Sequence, residues 1–343
     1  MTPQDNTSYT NSTASLTLTT EWDKTFPQSE KVVHEKVTFS TGYGLTLAAD
    51  LYRPAGASGS TLPAVAVSGP FGAVKEQASG LYAQTLAEHG FLTLAFDPSY
   101  TGESSGLPRY TASPDINTED FMSAVDYLTT RGDVDAERIG IIGICGWGGI
   151  ALNTAAADPR IKATIASTMY DMTRTAGNGY FDADDNATAR NAARRTLAAQ
   201  RTATATTGER PRMGGVIDPL PDDAPQFVKD YHAYYKTERG FHPRSLNSTD
   251  GWSVLGTQAY ANARFMHYIG EIEAPVLVLH GEKAHSRYMG ETAYKALAAG
   301  VRPENKELAI IPGASHTDLY DGGADGAIPW DRLTAFLSQA LNS

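Results

Sequence analysis

Six short, continuous apolar runs divide this chain at 62–67, 91–96, 138–142, 161–166, 275–279 and 307–311, and most are separated by stretches with helical spacing. A run of five or six apolar residues has no polar face to turn to water, so each reads as a strand buried on both sides. Strands of that kind alternating with helices predict an α/β fold, a mostly parallel central sheet with helices on both faces. Ahead of them, "VVHEKVTFS" and "LTLAADLYRP" alternate apolar with polar residues around the turn "TGYG", which predicts an antiparallel hairpin with one solvated face. At the far end Trp330, Leu333, Phe336, Leu337 and Leu341 fall on one face at helical spacing and predict a terminal helix packed on the sheet.

One interval breaks the rhythm. Roughly a hundred residues separate the strand ending near Ser167 from the strand beginning at Ala274, far more than a crossover connection needs. They hold an Ala- and Arg-rich helical stretch near 185–201 and an aromatic helix carrying Phe227, Tyr231, Tyr234 and Tyr235. The expected organisation is a mobile arm over 1–21, a core formed by 22–170 and 266–343, and a helical cap inserted at 171–265. With 41% hydrophobic residues in 343, such a core can be large. A formal charge of −11 argues against a nucleic-acid surface. No apolar run approaches bilayer length and the opening residues lack the pattern of a secretory signal, so the expectation is no membrane partner and a cytoplasmic location. The single cysteine excludes an internal disulfide. Oligomeric state is left open, a homo-oligomer among the options.

That cysteine stands in "GICGWGG", residues 143–149, between the apolar "RIGII" and the helix-like "IALNTAAA". A side chain held at a strand-to-helix turn is presented at the carboxyl edge of the sheet, beside a helix N-terminus and its free N–H groups. Cys145 is therefore expected to carry thiolate character and act as a nucleophile. The plainer alternative is a buried structural cysteine in a glycine-rich turn. The stretch resembles the nucleophile elbow G-x-S-x-G of the α/β-hydrolase superfamily, particularly the dienelactone-hydrolase-like branch in which Cys takes the Ser place. Trp147 occupies the usual second-glycine position, with Gly148 one place later. A second match to the pattern, "GESSG" at 102–106 with Ser104 as its serine, is followed by "LPRYTASPD", which cannot open a helix. It is read as a structural turn held by Asp97 and Gly102.

The resemblance implies further residues. His316, in "IIPGASHTDLYD" just past the last strand, takes the position of the base, with His285 and His280 as weaker candidates. The backbone N–H groups of Phe71 and Gly146 take that of the oxyanion hole. The triad acid is where the match falters: "HGEKAH" has Ala284 where the superfamily's Asp is expected. Asp171 and Glu282 are the substitutes, and a Cys and His pair working without an acid is the third option. Trp147, Tyr170, Tyr231 and Tyr235 are candidates for lining the substrate, packing of the aromatic face onto the body being the alternative. No metal-ligand spacing or nucleotide-binding loop is visible, so no cofactor is expected. The expected activity is cofactor-independent hydrolysis of a small-molecule ester, lactone or thioester through an acyl-enzyme. The alternatives are an amidase or peptidase, or a fold that keeps the pocket as a ligand-binding protein without catalysis.

Overall fold

The computed structural model describes residues 16–57 and 59–342. Its centre is an eight-stranded sheet in the order β1 (Val32–Ser40), β2 (Thr46–Pro54), β4 (Leu92–Phe96), β3 (Leu62–Ser68), β5 (Val134–Ile144), β6 (Ile161–Ser167), β9 (Val276–Gly281), β10 (Lys306–Ile311). Only β2 runs against its neighbours; every other pair is parallel. The six apolar runs are six of these strands. Alternate residues of the parallel strands feed two cores: Val65, Val67, Ile142 and Ile165 on one face, and Ala64, Ala66, Ile141 and Ala166 on the other. Helices α1 (Ala78–Glu88) and α9 (Trp330–Leu341) cover the first face, with Trp330 edge-on to Tyr82 at 5.0 Å. Helices α2 (Pro114–Thr129) and α3 (Gly146–Ala157) cover the second.

The hairpin differs from its sequence pattern in one respect. β1, at the sheet edge, has the solvated positions that alternation predicts, whereas β2 is buried throughout Thr46–Tyr52. The reason is position: β2 has β4 on its other side and α1 over it, so its polar residues turn inward. Asp50 is accordingly paired with Lys24 and His34.

Between β6 and β9 the chain forms α4 (Met172–Asn178), α5 (Ala187–Thr207), a two-residue strand β7 (Arg212–Met213), α6 (Gln226–Tyr235) and β8 (Trp252–Ser253), the last pairing with β7. α5 buries none of its residues, while α6 turns Tyr234 and Tyr235 fully inward. After β9 come α7 (Arg287–Ala298), β10, the four-residue α8 (Asp318–Asp321) and α9. Of the expected N-terminal arm, 1–15 lie outside the described residues. Thr19 is tied down, donating its N–H to Glu103 and accepting from Arg244. Among the described residues no helix is long and apolar enough to cross a membrane.

Candidate active site

The turn between β5 and α3 is strained in the way an elbow requires. Cys145 has φ 58° and ψ −125°, a conformation that L residues adopt only when the surroundings fix it. Its N–H donates to Ser167 O, and its carbonyl accepts from the N–H groups of Gly148 and Tyr170, each at 2.9 Å. Gly143 is indispensable here, because a Cβ on it would lie 1.9 Å from the carbonyl oxygen of Trp147. Trp147 itself is sequestered. Its ring is 1% exposed and packs edge-on to Phe96 and Phe121 at 5.5 and 5.2 Å, so it belongs to the core between α2, α3 and the sheet rather than to a substrate wall. Two residues along the first helical turn is enough to point it away from Cys145.

The loop between β3 and α1 brings Phe71 against the same turn. The backbone amides of Phe71 and Gly146 both act on the Cys145 sulfur, as do the hydroxyls of Tyr320 and Tyr231. The inserted segment holds this loop from outside: Asn247 Nδ2 donates to Phe71 O at 2.9 Å, while Asn247 N and Ser245 Oγ donate to Gly72 O at 3.1 and 3.0 Å. From inside it is anchored by Lys75, wholly buried, whose Nζ lies 2.7, 2.9 and 2.6 Å from Glu76, Asp97 and Glu103. These three carboxylates converge tightly enough to suggest a cation site, but the lysine ammonium already supplies the positive charge. Arg244 of the inserted segment pairs with Glu76 at 2.8 Å and closes the network. Ser104 serves this same turn, its Oγ donating to Asp97 O and accepting from Ala48 N, and it is 2% exposed.

Cys145 opens on a cavity of about 480 Å³ bounded by aromatic rings, among them Phe71, Tyr170, Tyr180, Phe227, Tyr231 and Trp252. Among the described residues no charged side chain lines it. Tyr170 and Tyr231 thus line the cavity; Tyr235 is one layer behind, 0% exposed and not on the wall.

His316 reaches this site through partners that the sequence did not suggest. Its Nδ1 lies 2.9 Å from Thr168 Oγ1 and 2.8 Å from Ser286 Oγ, and its Nε2 lies 3.0 Å from the Tyr320 hydroxyl. Neither proposed carboxylate is hydrogen-bonded to the ring. Asp171 caps α4, accepting from the N–H groups of Thr173 and Arg174 and from the Thr173 hydroxyl, and Glu282 accepts from Gly313 N. Thr168 follows β6 and Ser286 follows the buried Ala284, so two loops that could have delivered an acid deliver hydroxyls. Of the missed residues only Tyr320 carried a local signal, since "HTDLY" places it four positions after His316. His280 is fully buried and both its ring nitrogens lack a hydrogen-bond partner among the described residues. His285 stacks on Phe227 at 4.3 Å and is hydrogen-bonded to the Tyr170 hydroxyl.

Electrostatically the site favours neutral forms. Burial pushes the Cys145 thiol up, and the Tyr320 hydroxyl, the Gly146 and Phe71 amides and the Tyr231 hydroxyl only partly offset it. Burial likewise holds His316 well below the usual imidazole value, with His285 and His280 adding to the effect. Burial lowers His285 to about 4. The thiolate character expected from the helix N-terminus is therefore outweighed by desolvation, and the resting pair is thiol and imidazole.

An uncharacterised protein of Pseudomonas aeruginosa, PA2218, is 53% identical over 99% of this chain and 89% of its own length. Its crystal structure superposes with a TM-score of 0.90, covering 95% of this chain and 99% of that one. The chain belongs to the PA2218 family of α/β-hydrolase fold. The uncharacterised protein YcjY of Escherichia coli K12 is 33% identical over 81% of this chain and 89% of its own. A family described as PET hydrolase-like matches residues 24–179. A thiohydrolase of Aspergillus aculeatus, aneE, is 34% identical over 40% of this chain and 42% of its own length.

Proposed function

We propose that this protein hydrolyses an ester, lactone or thioester of an uncharged, largely apolar acyl group, with Cys145 as nucleophile and His316 as base. The observation that carries this reading is the sulfur itself. It sits on a strained strand-to-helix turn, faces two backbone amides, and opens on an aromatic cavity without a charged wall. The aneE thiohydrolase supports a thioester among the substrates, as does the resemblance of the elbow to dienelactone-hydrolase-like enzymes with a cysteine. In this reading 171–265 is a cap, since its residues Tyr180, Val216, Tyr231 and Trp252 wall the cavity. Attack of sulfur on the carbonyl carbon moves the carbonyl electrons onto oxygen, where the Phe71 and Gly146 amides receive the charge. Expulsion of the leaving group, which takes the proton held by His316, leaves an acyl thioester on Cys145. Water then adds with the histidine as base and releases the acid.

Two hydroxyls where a carboxylate usually steadies the imidazolium lower the expected rate, and they favour one second reading: a binding protein that keeps the cavity without turnover. Incubation with p-nitrophenyl esters and aryl thioesters of aromatic and aliphatic acids, followed by intact-mass measurement, separates the two. The expected result is turnover and an acyl adduct on the parent protein, both absent in Cys145→Ala. No adduct and no turnover with any of these probes rejects the hydrolase and leaves the binder.

A further inference from the structure

The hydrogen bonds of His316 leave a gap in the chemistry just described, because none of them runs from the ring to the Cys145 sulfur. Nε2, the nitrogen free to act as base when Nδ1 is protonated, is taken by the hydroxyl of Tyr320 at 3.0 Å. That same hydroxyl acts on the Cys145 sulfur, and the residue forms part of the cavity wall beside it. We propose that Tyr320 is a catalytic residue: its hydroxyl carries the proton from Cys145 Sγ to His316 Nε2, and returns it to the leaving group. The inference rests on the hydrolase reading and specifies how its base is reached.

The surroundings suit a relay. In the tautomer with Nδ1 protonated, Nδ1–H donates toward Thr168 and Ser286, Nε2 accepts from the Tyr320 O–H, and a lone pair of the phenol oxygen remains for the S–H. Tyr320 is held on both sides along the chain and across its ring. The carbonyl of Leu319 accepts from the Tyr82 hydroxyl at 2.7 Å, Asp321 accepts twice from Arg239 at 2.7 Å, and the Tyr320 ring packs against Tyr234 at 5.0 Å. Burial keeps the phenol protonated at rest, so it passes a proton on rather than storing a charge. The step balances. The S–H proton moves to the tyrosine oxygen as the tyrosine proton moves to Nε2, the sulfur pair forms the bond to the acyl carbon, and reversal of both transfers protonates the departing group. No co-reactant is needed beyond the substrate.

The test is pre-steady-state acylation by a p-nitrophenyl ester or aryl thioester, comparing the parent with Tyr320→Phe across pH 6–10. The expected loss in the acylation rate constant at pH 7 is about 100-fold, within the usual range for a general acid–base group, with KM changed less than about threefold. The variant's rate should then climb roughly tenfold per pH unit, because without the relay only preformed thiolate reacts, whereas the parent's stays nearly flat near neutrality. An equal rate and the same pH profile in the variant overturn the relay and leave the hydrolase reading intact; so does a loss that keeps the flat profile, the mark of a merely structural role. A proton inventory of acylation on the unaltered protein guards against a misfolded variant: a curved dependence on deuterium fraction is expected for two protons in motion, and a straight line overturns the proposal. A parent that forms no Cys145 adduct removes the hydrolase reading and the relay with it.

Discussion

Replacing His280 with leucine should make the protein more tolerant of acid, with only a small change in its stability at neutral pH. His280 lies on β9 with no exposed surface and no hydrogen-bond partner for either ring nitrogen among the described residues. Burial first, then the charges of Arg287 and His285, lower its pKa from 6.5 to about 3. A histidine whose folded pKa is depressed is protonated in the unfolded chain before it is protonated in the folded one. Its contribution to stability is therefore fully present above pH 6.5 and is lost as pH falls from there towards 3. With those two values, the loss between pH 7 and pH 5 is about 2 kcal/mol from this residue alone, and about 3 kcal/mol by pH 4. Leucine removes the titration and two polar atoms that gain nothing in the interior, so at pH 7 the variant should stay within about 1.5 kcal/mol of the parent. Urea unfolding followed by far-UV circular dichroism at pH 7, 5 and 4 measures the difference. The parent should lose about 2 kcal/mol more than His280→Leu between pH 7 and 5. Parallel stability-against-pH curves for the two proteins would refute the reasoning, since they would mean that the ring is hydrated or already charged.

Two further expectations concern the site. Asn247→Ala removes the side chain that holds the Phe71 carbonyl at 2.9 Å, so the opposite face of that residue, its N–H, should lose its aim; kcat for an activated ester is expected to fall at least tenfold with KM little changed, against 10²–10³-fold when an oxyanion donor is removed outright. An unchanged kcat would show that the loop holds its shape without the Asn247 side chain. Because burial raises the Cys145 thiol and the two amides do not compensate, alkylation by iodoacetamide should be slow at pH 7 and accelerate through pH 9 and above, and a midpoint below pH 8 in the rate of adduct formation would contradict a neutral resting thiol.

The parts of the molecule that were legible in the sequence are those fixed by local chemistry. Continuous apolar runs located the parallel strands because a strand covered on both faces has no polar position to reveal, and glycine spacing located the turn at Cys145 because a side chain at Gly143 would collide with the backbone of Trp147. The same local logic rejected Ser104, whose surroundings offer no helix. It failed for β2, which alternates like a half-exposed strand but lies between two others, and for Trp147, whose direction follows from the packing of α3 on Phe96 and Phe121.

What the order of residues determined by itself was the sheet, its helices and the turns after β5 and β10 on which Cys145 and His316 stand. What tertiary structure alone decided was the company they keep. Thr168 and Ser286 approach one ring nitrogen from 148 and 30 residues away, Tyr320 stands at the other, and burial sets the charge state of the whole group. Hydrogen bonds to a side chain depend on which loops the fold brings together, and desolvation depends on everything packed around it. Neither is written in the spacing of neighbouring residues.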